Sequence, residues 1–207
     1  MKNRKSKTEN HLNVLFTCIG RRVSLLESFR RAAKKLKINA SLLGTDTTEL
    51  SPALQLCDRR FGVKPTTHAG YIRQILSIVK ANNVKLLVPT VDLDLKLLAQ
   101  NKPKFAAMGC RVLVSDPQVI DICQDKRKTY RFLVKNGFDT PATMSIRTAL
   151  KNSKSSIANR KSQIGFPLFL KPWDGYAGRG NTVVNNRREL LFYAKSIPNA
   201  ICQELVE

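Results

Sequence analysis

Acidic residues are scarce in this chain. Only 15 Asp and Glu stand against 36 Lys and Arg, a formal charge of +21 over 207 residues. That imbalance raises the standing of a polyanionic partner, but it speaks to association and not to fold. Most of the basic residues are dispersed along helix faces, as at Arg30, Arg31, Lys34 and Lys35, so a solvated basic surface is the favoured reading. Only Lys2-Asn3-Arg4-Lys5-Ser6-Lys7 is dense, and residues 1–10 are expected to be a basic disordered tail.

Cysteine and histidine are also thin. Cys18, Cys57, Cys110, Cys123 and Cys202 are odd in number and form no C-x-x-C pair, which argues against a disulfide framework or a zinc site. Reduced thiols in a cytoplasmic protein fit this usage. His11 and His68 lie far apart without partners at metal spacing, so surface or capping roles are expected and no metal site. No apolar run approaches the roughly 20 residues that span a membrane. Val14–Gly20, behind the basic tail, is too brief for a secretory core, and Arg21-Arg22 stands where a small-residue cleavage site would be. There is no internal repeat.

What remains is a globular pattern, 43% apolar, of a length for one large or two small domains. Asn13–Ile19 is a continuous apolar run and reads as a buried strand. Leu25, Leu26, Phe29, Ala32, Ala33 and Leu36 then recur at helical spacing. Further strands are expected at Ala40–Leu43, Phe61–Val63, Val84–Val88 and Arg111–Val114, with helices around Ile72–Val79 and Leu93–Gln100. Asp116-Pro117 opens another helix. Strands alternating with helices imply crossovers and a parallel sheet. Residues 11–117 therefore read as a doubly wound, Rossmann-like α/β domain.

Residues 118–207 read as a smaller α+β region. Asp125 can cap a helix carrying Lys126, Tyr130, Leu133 and Val134 that stops at Asn136-Gly137. Thr140-Pro141 opens an extended segment, Lys151–Ser162 is a polar loop, Asn186 can cap a helix over Arg187–Ile197, and Ala200–Val206 is a last strand. Between two apolar stretches lies Lys171-Pro172 followed by Gly175, Gly178 and Gly180. A P-loop places its lysine after the glycines and leads into a helix, and a dinucleotide fingerprint also needs that helix. Here the lysine comes first and a strand follows. Glycines let backbone N–H groups approach phosphate oxygens, and Lys171 could add a point charge, so a phosphate flap is possible on spacing. An ordinary flexible hairpin fits the spacing equally.

The ordered series Asp125-Lys126, Gly137-Phe138-Asp139-Thr140-Pro141, Gly165 to Pro172, the glycine loop and Gln203-Glu204-Leu205-Val206 resembles the ATP-grasp superfamily. Asn13–Arg22, Gly44-Thr45-Asp46 and Val88-Pro89-Thr90 resemble its pre-ATP-grasp domain, and the similarity is closest to carbamoyl-phosphate-synthase-like ligases. The resemblance covers about residues 12–207. It implies a pre-ATP-grasp domain followed by the first ATP-grasp subdomain. It implies ATP as ligand, with Lys126 and Lys171 on the phosphates and Gly175, Tyr176, Ala177, Gly178, Arg179 and Gly180 as the flap. Gln203, Glu204, Leu205 and Val206 would hold the adenine, the Glu204 carbonyl accepting from the amino group and the Val206 N–H donating to a ring nitrogen. The implied activity is a carboxylate–amine or ammonia ligase working through an acyl phosphate, with an unidentified acid and amine. Tyr176-Ala177 departs from the small residues usual at the flap tip, and Trp173 reads as a packing anchor.

The family's second half, which carries the magnesium ligands, is expected to be missing after Glu207. The expectation is an incomplete catalytic unit, truncated at the hinge strand or completed by a separate chain, with magnesium only when that half is present; no catalytic residue is assigned. Two other features remain. Gly20 and Asp46 imitate a dinucleotide site without its glycine pattern, and Asp92 and Asp94 sit at a strand's carboxyl end, where helix capping is the favoured role. A different class of function, a non-catalytic nucleic-acid-binding or scaffold protein using the basic surface, is motivated by the charge alone.

Overall fold

A computed structural model describes residues 11–152 and 165–206. The chain divides into two compact units, Met1–Ile120 and Asp121–Glu207. The basic tail expected over residues 1–10 and the loop expected over 153–162 lie outside the described residues.

The first unit runs β1 (Leu12–Thr17), α1 (Val23–Lys35), β2 (Ala40–Asp46), α2 (Pro52–Gln55), β3 (Arg59–Gly62), α3 (Tyr71–Ala81), β4 (Val84–Pro89), α4 (Leu95–Gln100), α5 (Lys102–Ala107), β5 (Arg111–Val112) and α6 (Pro117–Gln124), within which the division falls. Its five strands are ordered β3-β2-β1-β4-β5, and every pair is parallel. Period-two alternation sends neighbouring residues of β1 to opposite faces. Val14 and Phe16 pack with Leu26 of α1 and Leu54 of α2, while Leu15 packs with Tyr71, Ile75 and Val79 of α3 and Phe105 of α5. Both faces are thus covered, which is why β1 reads as an unbroken apolar run.

Several sequence expectations shift. The third strand is Arg59–Gly62, earlier than Phe61–Val63, because parallel pairing to β2 begins at Leu43 opposite Arg59. The fifth is cut to Arg111–Val112, although the Leu113 N–H still reaches the Leu87 carbonyl at 2.9 Å. The helix expected from Leu93 begins at Leu95.

The second unit holds α7 (Lys126–Lys135), β6 (Thr143–Ser145), α8 (Ile146–Asn152), β7 (Leu168–Pro172), β8 (Thr182–Val184), α9 (Arg187–Ser196) and β9 (Ala200–Glu204). Its sheet is antiparallel, in the order β6-β9-β7-β8. Lys151 and Asn152, expected in a loop, close α8 instead. Leu168 and Leu170 of β7, Val184, Leu190 of α9, Ala149 of α8 and Cys202 form the core. Alternation then turns Phe169 and Lys171 to the opposite face, where Thr143 and Gln203 also stand. That second face, at the root of the β7–β8 hairpin, carries the candidate site.

Candidate functional site

The segment that was ambiguous by spacing is a hairpin loop. β7 ends at Pro172, and residues 173–181 turn back into β8 through three tight backbone contacts: Gly175 N–H to Pro172 O (3.3 Å), Arg179 N–H to Tyr176 O (3.2 Å) and Asn181 N–H to Gly178 O (3.3 Å). Gly180 has φ of +74°, and a Cβ there would stand 3.1 Å from the Pro172 ring, so both backbone and space demand glycine. Tyr176 lies exposed at the loop, with the Arg179 guanidinium 5.5 Å from its ring centroid.

Two lysines converge on this loop. Lys126 is the first residue of α7, where Asp125 caps the helix by accepting from the N–H groups of Arg127 (2.9 Å) and Lys128 (3.4 Å). The Lys126 N–H donates to the Trp173 carbonyl at 3.0 Å, and its ammonium donates to the Gly175 carbonyl. Lys171 leaves the penultimate position of β7, and its ammonium donates to Gln203 Oε1 at 2.5 Å. Burial first, and then the Lys126 charge, pull the Lys171 pKa below the ordinary lysine value. Among the described residues neither ammonium lies within ion-pair distance of a carboxylate. Two cations in one field, each donating to a neutral oxygen, make a pair of exchangeable anion contacts.

The last strand supplies the next wall. Gln203 donates from Nε2 to Thr143 Oγ1 at 3.0 Å while its carbonyl holds Lys171. The Glu204 N–H bonds to Ala142 O at 2.9 Å, and the Glu204 carboxylate turns back to accept from the Ala142 N–H at 3.2 Å. Leu205 and Val206 extend past the end of β9 and are exposed. Lys126, Lys171, the loop root and Gln203 therefore share one neighbourhood. The side chain and the N–H of Glu204 are thus both engaged with Ala142.

Sequence reasoning missed what fixes this neighbourhood. Arg127 forks onto the Asp125 carboxylate through Nε (3.0 Å) and Nη2 (2.7 Å), and its guanidinium lies 3.7 Å from the Trp173 ring centroid. This pairing holds the Asp125 carboxyl down at about 2. Trp173 N–H donates to Asn199 O at 2.9 Å, and Asn199 Nδ2 to Asp174 Oδ2 at 2.8 Å. A basic residue two after a capping Asp, and an aromatic beside a glycine loop, were the available signals.

The imitations in the first unit resolve differently. Asp46 Oδ2 accepts from the Gly20 N–H (2.8 Å) and Ser51 Oγ (2.7 Å), and Oδ1 from the Thr47 N–H (2.7 Å). Its oxygens already stitch two loops together, which leaves a ribose poorly served. Asp94 is not a side-chain cap: it is fully buried and accepts from the Tyr71 hydroxyl at 2.8 Å. Burial raises its pKa, while the bond from the Tyr71 hydroxyl pulls the other way. Among the described residues no three His, Cys, Asp or Glu side chains gather as a metal cage, and no helix is long and apolar enough to cross a membrane.

Comparison with known families speaks to the two domains and the fold. A model of the PylC-like N-terminal domain matches residues 14–113, and a model of the ATP-grasp domain matches residues 123–207. The chain belongs to the ATP-grasp superfamily. Carbamoyl phosphate synthase large chain from Campylobacter jejuni is 28% identical to this ATP-grasp chain over 90 residues, 44% of this chain and 8% of that one. The biotin carboxylase domain of Hydrogenobacter thermophilus 2-oxoglutarate carboxylase, in complex with MgADP, ADP and bicarbonate, has a TM-score of 0.69 at 15% identity, covering 94% of this chain and 44% of that one. Staphylococcus aureus N5-carboxyaminoimidazole synthetase complexed with ADP has a TM-score of 0.64 at 16% identity, covering 95% and 48%. At such identities the two structures establish the fold. The chain spans less than half the length of each of these relatives.

Proposed function

We propose that this chain is the nucleotide-gripping portion of an ATP-grasp ligase. The observation that carries the reading is the convergence of Lys126 and Lys171, neither ion-paired with a carboxylate among the described residues, at the root of a glycine hairpin and beside Gln203. A triphosphate offers each ammonium a charged acceptor in place of a neutral carbonyl, and such charge-assisted bonds are the stronger ones. Releasing the Gly175 carbonyl from Lys126 frees the hairpin to settle over the phosphates. The adenine edge would lie against the backbone of Glu204 and Val206. Related structures bound to ADP support a nucleotide in this fold.

The reaction class follows from the family resemblance: a carboxylate is activated as an acyl phosphate, and an amine or ammonia then displaces the phosphate. The described residues do not build a magnesium site, so no metal-dependent step is assigned to them. Further residues, in the same or a separate polypeptide, would supply the metal ligands and the acid and amine pockets. Titrating ATP into the full chain by calorimetry tests the grip. Lys171→Ala should bind about tenfold more weakly, the loss expected for one charge-assisted contact. Equal affinity of the two proteins would remove the assignment.

A further inference from the structure

Trp173 is the single tryptophan in the chain, and both its backbone and its ring are engaged. Its carbonyl takes the Lys126 N–H at 3.0 Å, its N–H is fixed on Asn199 O at 2.9 Å, and its ring carries the Arg127 guanidinium at 3.7 Å. Arg127 is itself clamped on the capping carboxylate of Asp125 through two bonds. Lys126 sits between these two residues, so its backbone is held on both sides and at its own N–H. A lysine side chain is long and flexible, and what its ammonium can reach is set by where its backbone is pinned.

We infer that Arg127 and Trp173 form a positioning pair: the guanidinium–indole stack locks the first turn of α7 to the hairpin root, so that the Lys126 ammonium is presented to the nucleotide phosphates. The inference rests on the ATP-binding reading above and goes beyond it. Neither residue touches the phosphate; both act through Lys126. A plain packing anchor would need only apolar bulk at position 173 and would be indifferent to which cation stands at 127. A stack with a forked ion pair needs the planar guanidinium, which lysine cannot replace.

The experiment measures ATP affinity of the full chain by calorimetry, with Trp173 emission as a second readout. Arg127→Lys keeps the charge and should weaken ATP binding by roughly three- to tenfold, the span expected for a lost cation–π contact. Trp173→Phe keeps a ring and should stay near wild type, while Trp173→Ala should fall with Arg127→Lys. In a Lys126→Met background, Arg127→Lys should cost nothing further, because the residue it positions is gone. Arg127→Lys should also change the indole emission before any nucleotide is added. Thermal unfolding of each variant identifies any that fails to fold, and the two conservative changes keep the test sound if Trp173→Ala does.

Wild-type affinity in Arg127→Lys and Trp173→Ala, with Lys126→Met and Lys171→Ala both weakened, would overturn the positioning pair and leave the ATP site standing. An Arg127→Lys loss undiminished in the Lys126→Met background, or an unchanged indole emission, would overturn it as well. If neither Lys126→Met nor Lys171→Ala altered ATP affinity, the functional reading would fall and the pair with it.

Discussion

The side chain of Gln203 joins two strands of the candidate site: its carbonyl accepts from the Lys171 ammonium at 2.5 Å, and its amide donates to Thr143 at 3.0 Å. Gln203 thus holds Lys171 with a neutral oxygen that a phosphate can outcompete. Gln203→Glu should replace this weak hold with an ion pair and place a negative charge beside the nucleotide. ATP affinity should fall by about tenfold or more, since a charge-assisted bond must now be broken first. Calorimetric titration of the variant checks this, and unchanged affinity would separate Gln203 from the nucleotide.

Lys171 also gives a pH prediction. Its pKa in the free protein is lowered by burial and by the Lys126 charge. The folded state therefore binds a proton less readily than the unfolded chain, and stability contributed by this group rises as pH climbs from below the folded pKa towards the ordinary lysine value. Bound triphosphate acts in the opposite sense, favouring the charged ammonium. ATP binding should take up protons in that alkaline window, and affinity should fall as pH rises through it. Calorimetry in buffers of different ionisation enthalpy measures the uptake; zero uptake across the window would contradict the contact.

How much of this was legible in sequence depends on periodicity and on reach. The parallel sheet was readable because strands buried on both faces, such as Val14–Thr17, leave unbroken apolar runs. Asp125 as a helix cap and Gly137 as a stop were readable because each acts on its immediate neighbours. The short α2, α5 and α8 were not, since four to seven residues carry little of a 3.6 repeat, although α4, also six residues, was expected over Leu93–Gln100. The stack of Arg127 on Trp173 was hidden because it joins residues 46 positions apart. Asp94 was misread as a cap because its partner Tyr71 lies on another helix.

Asp125 should show its pairing in acid. Its pKa is held at about 2, first by the Arg127 side chain, so its stabilising effect is present above the ordinary carboxylate value and lost as pH falls through about 2. Asp125→Asn retains a capping oxygen but loses the forked ion pair. Near neutral pH it should cost about 1 kcal/mol. The difference from wild type should shrink as pH drops towards 2. Urea unfolding at a series of pH values reads both arms.

Asp94 should behave in the opposite way. Burial raises its folded pKa, so the carboxylate loses stability for the fold as pH rises through that raised value. Asp94→Asn keeps an oxygen for the Tyr71 hydroxyl and removes the buried charge. The variant should match wild type at acid pH and become more stable, by about 1 kcal/mol, towards neutrality. Tyr71→Phe removes the donor at 2.8 Å and should destabilise by about 1–2 kcal/mol near neutral pH. Parallel thermal melts across pH distinguish the two, and a destabilised Asp94→Asn at neutral pH would mean that the ionised carboxylate is needed by the fold.

The +21 charge makes a last test decisive between nucleotide and polyanion readings. A site built from Lys126 and Lys171 neutralises few phosphates, so ATP affinity should decline gently with salt. Nucleic acid held by a dispersed basic surface would engage many phosphates, and 6–10 of them correspond to a loss of roughly 10³–10⁵ between 50 and 200 mM salt. Titrations of ATP and of a single-stranded oligonucleotide across that range should therefore diverge. ATP should remain bound at the upper end, should not be displaced there by oligonucleotide, and should lose affinity on Lys171→Ala. Oligonucleotide binding that is tight at 200 mM salt and weakened by Lys171→Ala to the same degree as ATP would instead place a polynucleotide at the hairpin root.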